Sequence, residues 1–120
     1  MVFKVHFNFP FVRWEIDVNL RLNQWDKALE LTSYGLEFQP NSDIFLTKRM
    51  IALFYLNRIE DLKIMLQQIS FIDYNFSFIE EYSKISFKIG NKIEAIESAY
   101  YLSEQDTKYN DLFITQYLMM

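Results

Sequence analysis

Asn23-Gln24-Trp25-Asp26-Lys27-Ala28-Leu29 recurs, altered, as Asn57-Arg58-Ile59-Glu60-Asp61-Leu62-Lys63 and as Asn91-Lys92-Ile93-Glu94-Ala95-Ile96-Glu97. The copies begin at 23, 57 and 91, each 34 residues after the last. A fixed period in this range marks an architecture in which each supersecondary unit buries its apolar face by stacking on the next copy. The Asn of each copy stands between two apolar, periodic segments, where a turn needs a left-handed residue and Asn is the common alternative to glycine. Asp26, Glu60 and Glu94 then fall in the first turn of the following segment, where the helix dipole favours negative charge. The period predicts repeated helix–turn–helix units.

Working outward, the segment before the first copy reads two ways. Ile16, Val18, Leu20 and Leu22 alternate with polar residues as in a half-buried strand. Phe11, Trp14, Val18 and Leu22 also form an apolar helical stripe, with Arg13, Asp17 and Arg21 on a polar one at spacing four. The repeat period selects helix, with Pro10 suited to its first turn. After Asn23 a second helix runs from Trp25 to Phe38 and stops at Gln39-Pro40-Asn41-Ser42, because proline cannot continue it.

Trp25, Ala28, Gly35 and Pro40 carry a specific pattern: an aromatic residue, a small residue three later, another seven beyond, and a closing Pro-Asn. This resembles the second helix of a tetratricopeptide repeat. Small residues let two helices approach closely where they cross. The later copies depart from the family: Leu62 and Ile96 replace Ala28, Ile69 and Ser103 replace Gly35, and Tyr74 and Lys108 replace Pro40. Asp43, Ser77 and Asp111 share the period and are expected to open helices, Ser77 through an S-x-x-E capping box with Glu80.

The expected fold is all-α: a short α-solenoid of about three helix-turn-helix repeats (11–42, 43–76, 77–110) and a C-terminal helix (111–120). An extended arm over residues 1–10 precedes it, in which Phe3, Val5, Phe7 and Phe9 alternate with polar partners. The arm packs on the first repeat or extends a partner's sheet edge. The last helix carries Phe113, Tyr117 and Leu118 in an almost uncharged setting, so either another subunit clasps it or the natural chain continues.

Composition narrows the function. Two Gly and two Pro among 120 residues disfavour a turn-rich β fold. A net charge of -4 removes the basic footprint of a nucleic-acid binder. With no Cys there is no disulfide framework and no thiol nucleophile, which favours a reducing intracellular compartment, cytoplasm or organelle matrix. No apolar run reaches the roughly 20 residues that span a bilayer. His6, the single histidine, has no Asp, Glu or Cys neighbour with which to build a metal or catalytic set, and adjacent Glu80 and Glu81 diverge by about 100 degrees on a helix. No enzyme activity, metal or cofactor is expected.

The resemblance implies a protein or peptide partner held along the concave surface lined by the first helices. That surface would offer Arg13, Asp17 and Arg21, then Thr47, Ile51, Phe54 and Tyr55, then Glu81, Ile85, Lys88 and Ile89. Phe54 and Tyr55 suit core packing equally well. The family's chaperone-tail clamp needs a Lys, Arg and Asn set that is incomplete here, with Asp17 at one Asn position. The expected role is a protein–protein interaction or scaffold module, a small subunit of a hetero-complex or a homo-oligomer. Two alternatives are a peptide-sensing domain of a bacterial regulator and a pentatricopeptide-like RNA-binding repeat protein. The first wants an attached DNA-binding segment, and the second a period nearer 35 with a basic surface.

Overall fold

The computed structural model describes residues 9–119, with side chains from Pro10 onward. Seven α-helices follow one another among these residues: α1 (Phe9–Arg21), α2 (Trp25–Phe38), α3 (Asp43–Tyr55), α4 (Ile59–Gln67), α5 (Phe76–Lys88), α6 (Lys92–Gln105) and α7 (Asn110–Leu118). Short 3-10 turns at Phe71–Asp73 and Thr107–Tyr109 lead into α5 and α7, and there is no strand among the described residues. Residues 1–8 of the expected arm lie outside the described residues, while Phe9 and Pro10 already belong to α1.

The ambiguous segment 14–22 is helix, yet its buried face differs from the expected stripe. Val12 and Ile16 are buried and Leu20 is half-buried, an i, i+4, i+8 row, whereas Phe11, Trp14 and Leu22 are exposed. Both faces of α1 are apolar, so helical period alone does not fix the phase.

Each first helix ends in the same backbone motif. Gln24 N–H donates to the Asn19 carbonyl at 2.8 Å and Asn23 N–H to Leu20 at 3.1 Å. Arg58 N–H reaches Leu53 and Asn57 N–H reaches Phe54, both at 3.0 Å; Asn91 N–H reaches Ser86 at 2.8 Å and Gly90 N–H reaches Phe87 at 3.2 Å. This pair of reversed bonds satisfies carbonyls that a helix end leaves open, and it needs one residue at positive φ. That residue is Asn23 (φ 57°), Asn57 (φ 57°) and Gly90 (φ 92°). Asn91, expected in that role, instead has φ -81° and stands at the N-cap of α6. The true turn positions are 23, 57 and 90, so the second interval is 33 residues.

The residue lost from the period lies between Asn57 and the start of α5. Ser42 caps α3 by accepting from Phe45 N–H at 3.3 Å, and Asn75 caps α5 by accepting from Phe78 N–H at 2.8 Å. These caps replace the expected Asp43 and Ser77, which sit one and two residues inside their helices. Asp111 likewise falls inside α7.

With that register the core positions align. Val12, Leu46 and Ile79 are buried, as are Ile16, Met50 and Ser83; on the second helices Ala28, Leu62 and Ala95 are fully buried. The chain forms two compact units, Met1–Arg58 and Ile59–Met120. In the first, α2 packs on α1 and on α3, and α1 touches α3; in the second, α6 packs on α5 and on α7. Gly35 of α2 lies against the fully buried Phe45 of α3. Burying a ring of that size contributes about 1.5–3 kcal/mol.

Candidate functional site

In the first unit the expected surface residues sit on α1 and α3. Asp17 accepts an ion-paired hydrogen bond from Lys48, which ties the two helices together. Arg13 is exposed and lines, with Pro10, Trp14 and Asp17, an open concavity of about 400 Å³. Arg21 is exposed in the last turn of α1. Thr47 is half-buried and donates its hydroxyl to the Asp43 carbonyl at 2.7 Å, so it serves its own helix. Phe54 is half-buried with its ring edge-on to Tyr55, centroids 5.4 Å apart. Tyr55 is 57 % exposed and stacks on Trp25 at 4.6 Å and 12°. The choice between core and surface thus divides the pair: Phe54 turns partly inward, and Tyr55 offers one ring face outward.

In the second unit the one-residue shift changes the reading of α5. The counterparts of Arg13, Asp17 and Arg21 are Glu80, Lys84 and Lys88, while Glu81 is half-buried and Ile85 is core at 4 % exposure. Glu80 and Lys84 pair at 3.0 Å on one helix face. With Lys108, Tyr109, Asp111 and Thr115 they border an open concavity of about 560 Å³ whose charges are of both signs. Lys108 also lies 5.1 Å over the Tyr109 ring.

On α7, Phe113 is half-buried between Tyr100 (5.2 Å) and Tyr117 (6.1 Å). Leu112 is also half-buried, whereas Tyr117, Leu118 and the C-cap residue Met119 are 62 %, 76 % and 63 % exposed, and Ile114 is 50 %. The inner side of the helix is held by a polar contact. Gln116, 5 % exposed, donates from Nε2 to Ser83 Oγ at 3.0 Å, and Ser83 donates to the Ala95 carbonyl at 2.8 Å. Beside them Tyr82 is buried, and its hydroxyl is pushed above its ordinary pKa by that burial and then by the carboxylates of Glu94 and Glu97.

Three of these features escaped the sequence reading. Trp14 shares its repeat position with Lys48 and Glu81, a signal that the position faces outward. Gln116 lies 33 residues after Ser83, which lies 33 after Met50, so position marked it as core although residue type did not. The Trp25–Tyr55 stack had no local signal, because the two rings come from the start of one helix and the end of the next.

No helix among the described residues is long and apolar enough to cross a membrane. Among the same residues no three His, Asp or Glu side chains gather where they could share a metal ion. Comparison with models of protein families, with curated proteins and with solved structures returned no match.

Proposed function

We propose that the chain is a non-enzymatic protein–protein interaction module, a short tetratricopeptide-like α-solenoid that serves as a small subunit of a larger assembly. The observation that carries this reading is the set of apolar side chains left in the open on α7 and at its C-cap, where Ile114, Tyr117, Leu118 and Met119 are all at least half exposed. Side chains of this kind clustered on one helix mark contact surfaces in soluble proteins. The thrice-repeated turn and the aligned core positions support the repeat architecture. In this reading Arg13, Asp17, Arg21, Thr47, Phe54, Tyr55, Glu81 and Lys88 of the first helices, some exposed and some half-buried, contact a protein or peptide. The ends of the array, α7 above all, supply the apolar contact.

Affinity purification of the tagged chain from cells that express it, followed by light scattering, tests the reading. A protein retained in fixed stoichiometry, giving a mass above the 14.6 kDa of the chain, is the expected result. A stable monomer at micromolar concentration with nothing retained would overturn it.

A further inference from the structure

The solvent face of α6 carries carboxylates without counter-charges. Glu94, Glu97 and Glu104 follow one another at spacings of three and seven, all exposed, and none of the three carboxylates makes an ion pair or hydrogen bond among the described residues. The helix dipole favours Glu94 in the first turn, but its effect fades before Glu97 and Glu104. Lys92, the cation nearest in the chain, lies over the Phe87 ring instead, at 5.9 Å.

Tyr82 of α5 adds an unused polar group to this patch. It is only 4 % exposed, and its hydroxyl makes no hydrogen bond among the described residues, although a buried phenol normally finds a partner. The helix packing sets it against the start of α6: the next residue, Ser83, donates to the Ala95 carbonyl at 2.8 Å. The Glu94 and Glu97 carboxylates both act on the Tyr82 hydroxyl electrostatically. The Phe71 ring lies 5.6 Å from that of Tyr82 and 5.8 Å from that of Tyr101, which stands one turn after Glu97. Two carboxylates, a phenol oxygen and two half-buried rings thus share one patch of the second unit.

The set suits an organic cation. The carboxylates supply opposite charge, the phenol oxygen accepts an N–H, and the rings cover an alkyl stem or a guanidinium face. A hard divalent cation takes roughly six oxygens, and no three His, Asp or Glu side chains gather among the described residues. The repeat register sharpens the assignment. With Ala95 matched to Ala28, Glu97, Tyr101 and Glu104 repeat Glu30, Tyr34 and Glu37 of α2, which border an open concavity of about 480 Å³. The counterpart of Glu94 on α2 is Lys27, so the α2 copy sets a cation where α6 sets a carboxylate.

We infer that Glu94 and Glu97, with the Tyr82 hydroxyl and the Phe71 and Tyr101 rings, seat a lysine or arginine side chain carried by a basic segment of a protein partner. This rests on the interaction reading above and adds the chemistry of the partner.

The test uses the full chain carbon-labelled at its tyrosine rings. It is titrated at low salt with an end-blocked peptide of three arginines spaced by glycine, and with the same peptide carrying citrulline, a neutral isostere, in their place. The arginine peptide should shift the Tyr82 and Tyr101 signals saturably, and the citrulline peptide should not. The bound guanidinium should also bring the Tyr82 pKa down, because it offsets the Glu94 and Glu97 charges, and arginine keeps its own charge through that titration. Read at Tyr101, Glu94→Gln with Glu97→Gln should weaken binding at least about tenfold. Glu30→Gln with Glu37→Gln changes the net charge equally and should leave binding nearly unchanged. Equal weakening by the two pairs, an unmoved Tyr82 pKa, or equal shifts with the citrulline peptide would overturn the inference. Spermidine binding as tightly as the peptide would also overturn it, by assigning the patch to a free polyamine.

Affinity purification of the Glu94→Gln, Glu97→Gln chain separates this inference from the interaction reading. A partner lost, or released at lower salt than from the wild type, supports the seat. A partner retained undiminished removes the seat and leaves the interaction reading standing, and no partner on either chain removes both.

Discussion

Gly35 on α2 and Phe45 on α3 approach so closely that a Cβ added to the glycine would lie 2.8 Å from three ring carbons. Phe45 is fully buried and cannot swing away. Gly35→Ala should therefore destabilise the chain by about 1–3 kcal/mol through overpacking. That holds although alanine favours a helix interior by about 1 kcal/mol over glycine. Urea unfolding measures the loss. In a Phe45→Leu background the same substitution should cost less, and equal costs in the two backgrounds would show that the ring is not the cause.

The three turn residues predict a set of unequal substitutions. Asn57 holds φ 57°, so Asn57→Ala should cost about 1 kcal/mol and Asn57→Gly should be neutral or stabilising. Gly90→Ala should also cost about 1 kcal/mol, and for backbone reasons alone, since nothing lies within 4 Å of its added Cβ. Asn91→Ala, at φ -81°, should cost less than Gly90→Ala. Thermal unfolding of the four variants gives the order; a larger loss at Asn91 than at Gly90 would restore the uniform period of 34.

How far the fold was legible follows from these same residues. The period in Asn23 and Asn57 was enough to place the helix pairs, because a left-handed turn restricts residue choice sharply. It failed at Gly90 and Asn91 because both types suit that turn and stand side by side, so one missing residue upstream left no local trace. The face of α1 was misread for a related reason. Phe11, Trp14 and Leu22 are as hydrophobic as Val12 and Ile16, and which set is covered depends on neighbouring helices. On α7 the outward Tyr117 and Leu118 were legible, since a helix with one charged residue has little polar surface to turn to water. Gln116 was not, because an amide reads as solvent-facing until its partner Ser83 is known.

That buried pair makes its own prediction. Gln116→Ala removes the donor to Ser83 Oγ and opens space in the interior, so it should cost about 1–3 kcal/mol. Replacing both partners, Ser83→Ala with Gln116→Leu, removes the need for a bond and should be closer to wild type than Gln116→Ala alone. Ser86 lies at the repeat position of Leu53, and its buried Oγ has no hydrogen-bond partner. Ser86→Ala should accordingly be neutral or stabilising. Chemical denaturation of the single and double variants checks this, and a double variant worse than the sum of its parts would contradict it.

Tyr82 links stability to alkaline pH. Burial first, and then the Glu94 and Glu97 carboxylates, raise its pKa in the folded chain above the ordinary 10.0. Between the unfolded and folded values the folded chain holds a proton that the unfolded chain has released, so the unfolded state binds fewer protons and stability falls as pH rises. The contribution is fully present below about pH 10 and is lost as pH climbs from there through the raised folded value. Unfolding midpoints measured from pH 9 to 11 should fall more steeply for the wild type than for Tyr82→Phe, which has no phenol to ionise. Glu97→Gln should leave the onset of the fall near pH 10, where the unfolded phenol ionises, and bring its end to lower pH, because one of the charges opposing the phenolate is gone and the folded pKa drops toward the unfolded one. Since that smaller gap also makes the total fall smaller, the Glu97→Gln curve should lie between the other two, and parallel curves for all three chains would remove Tyr82 from the account.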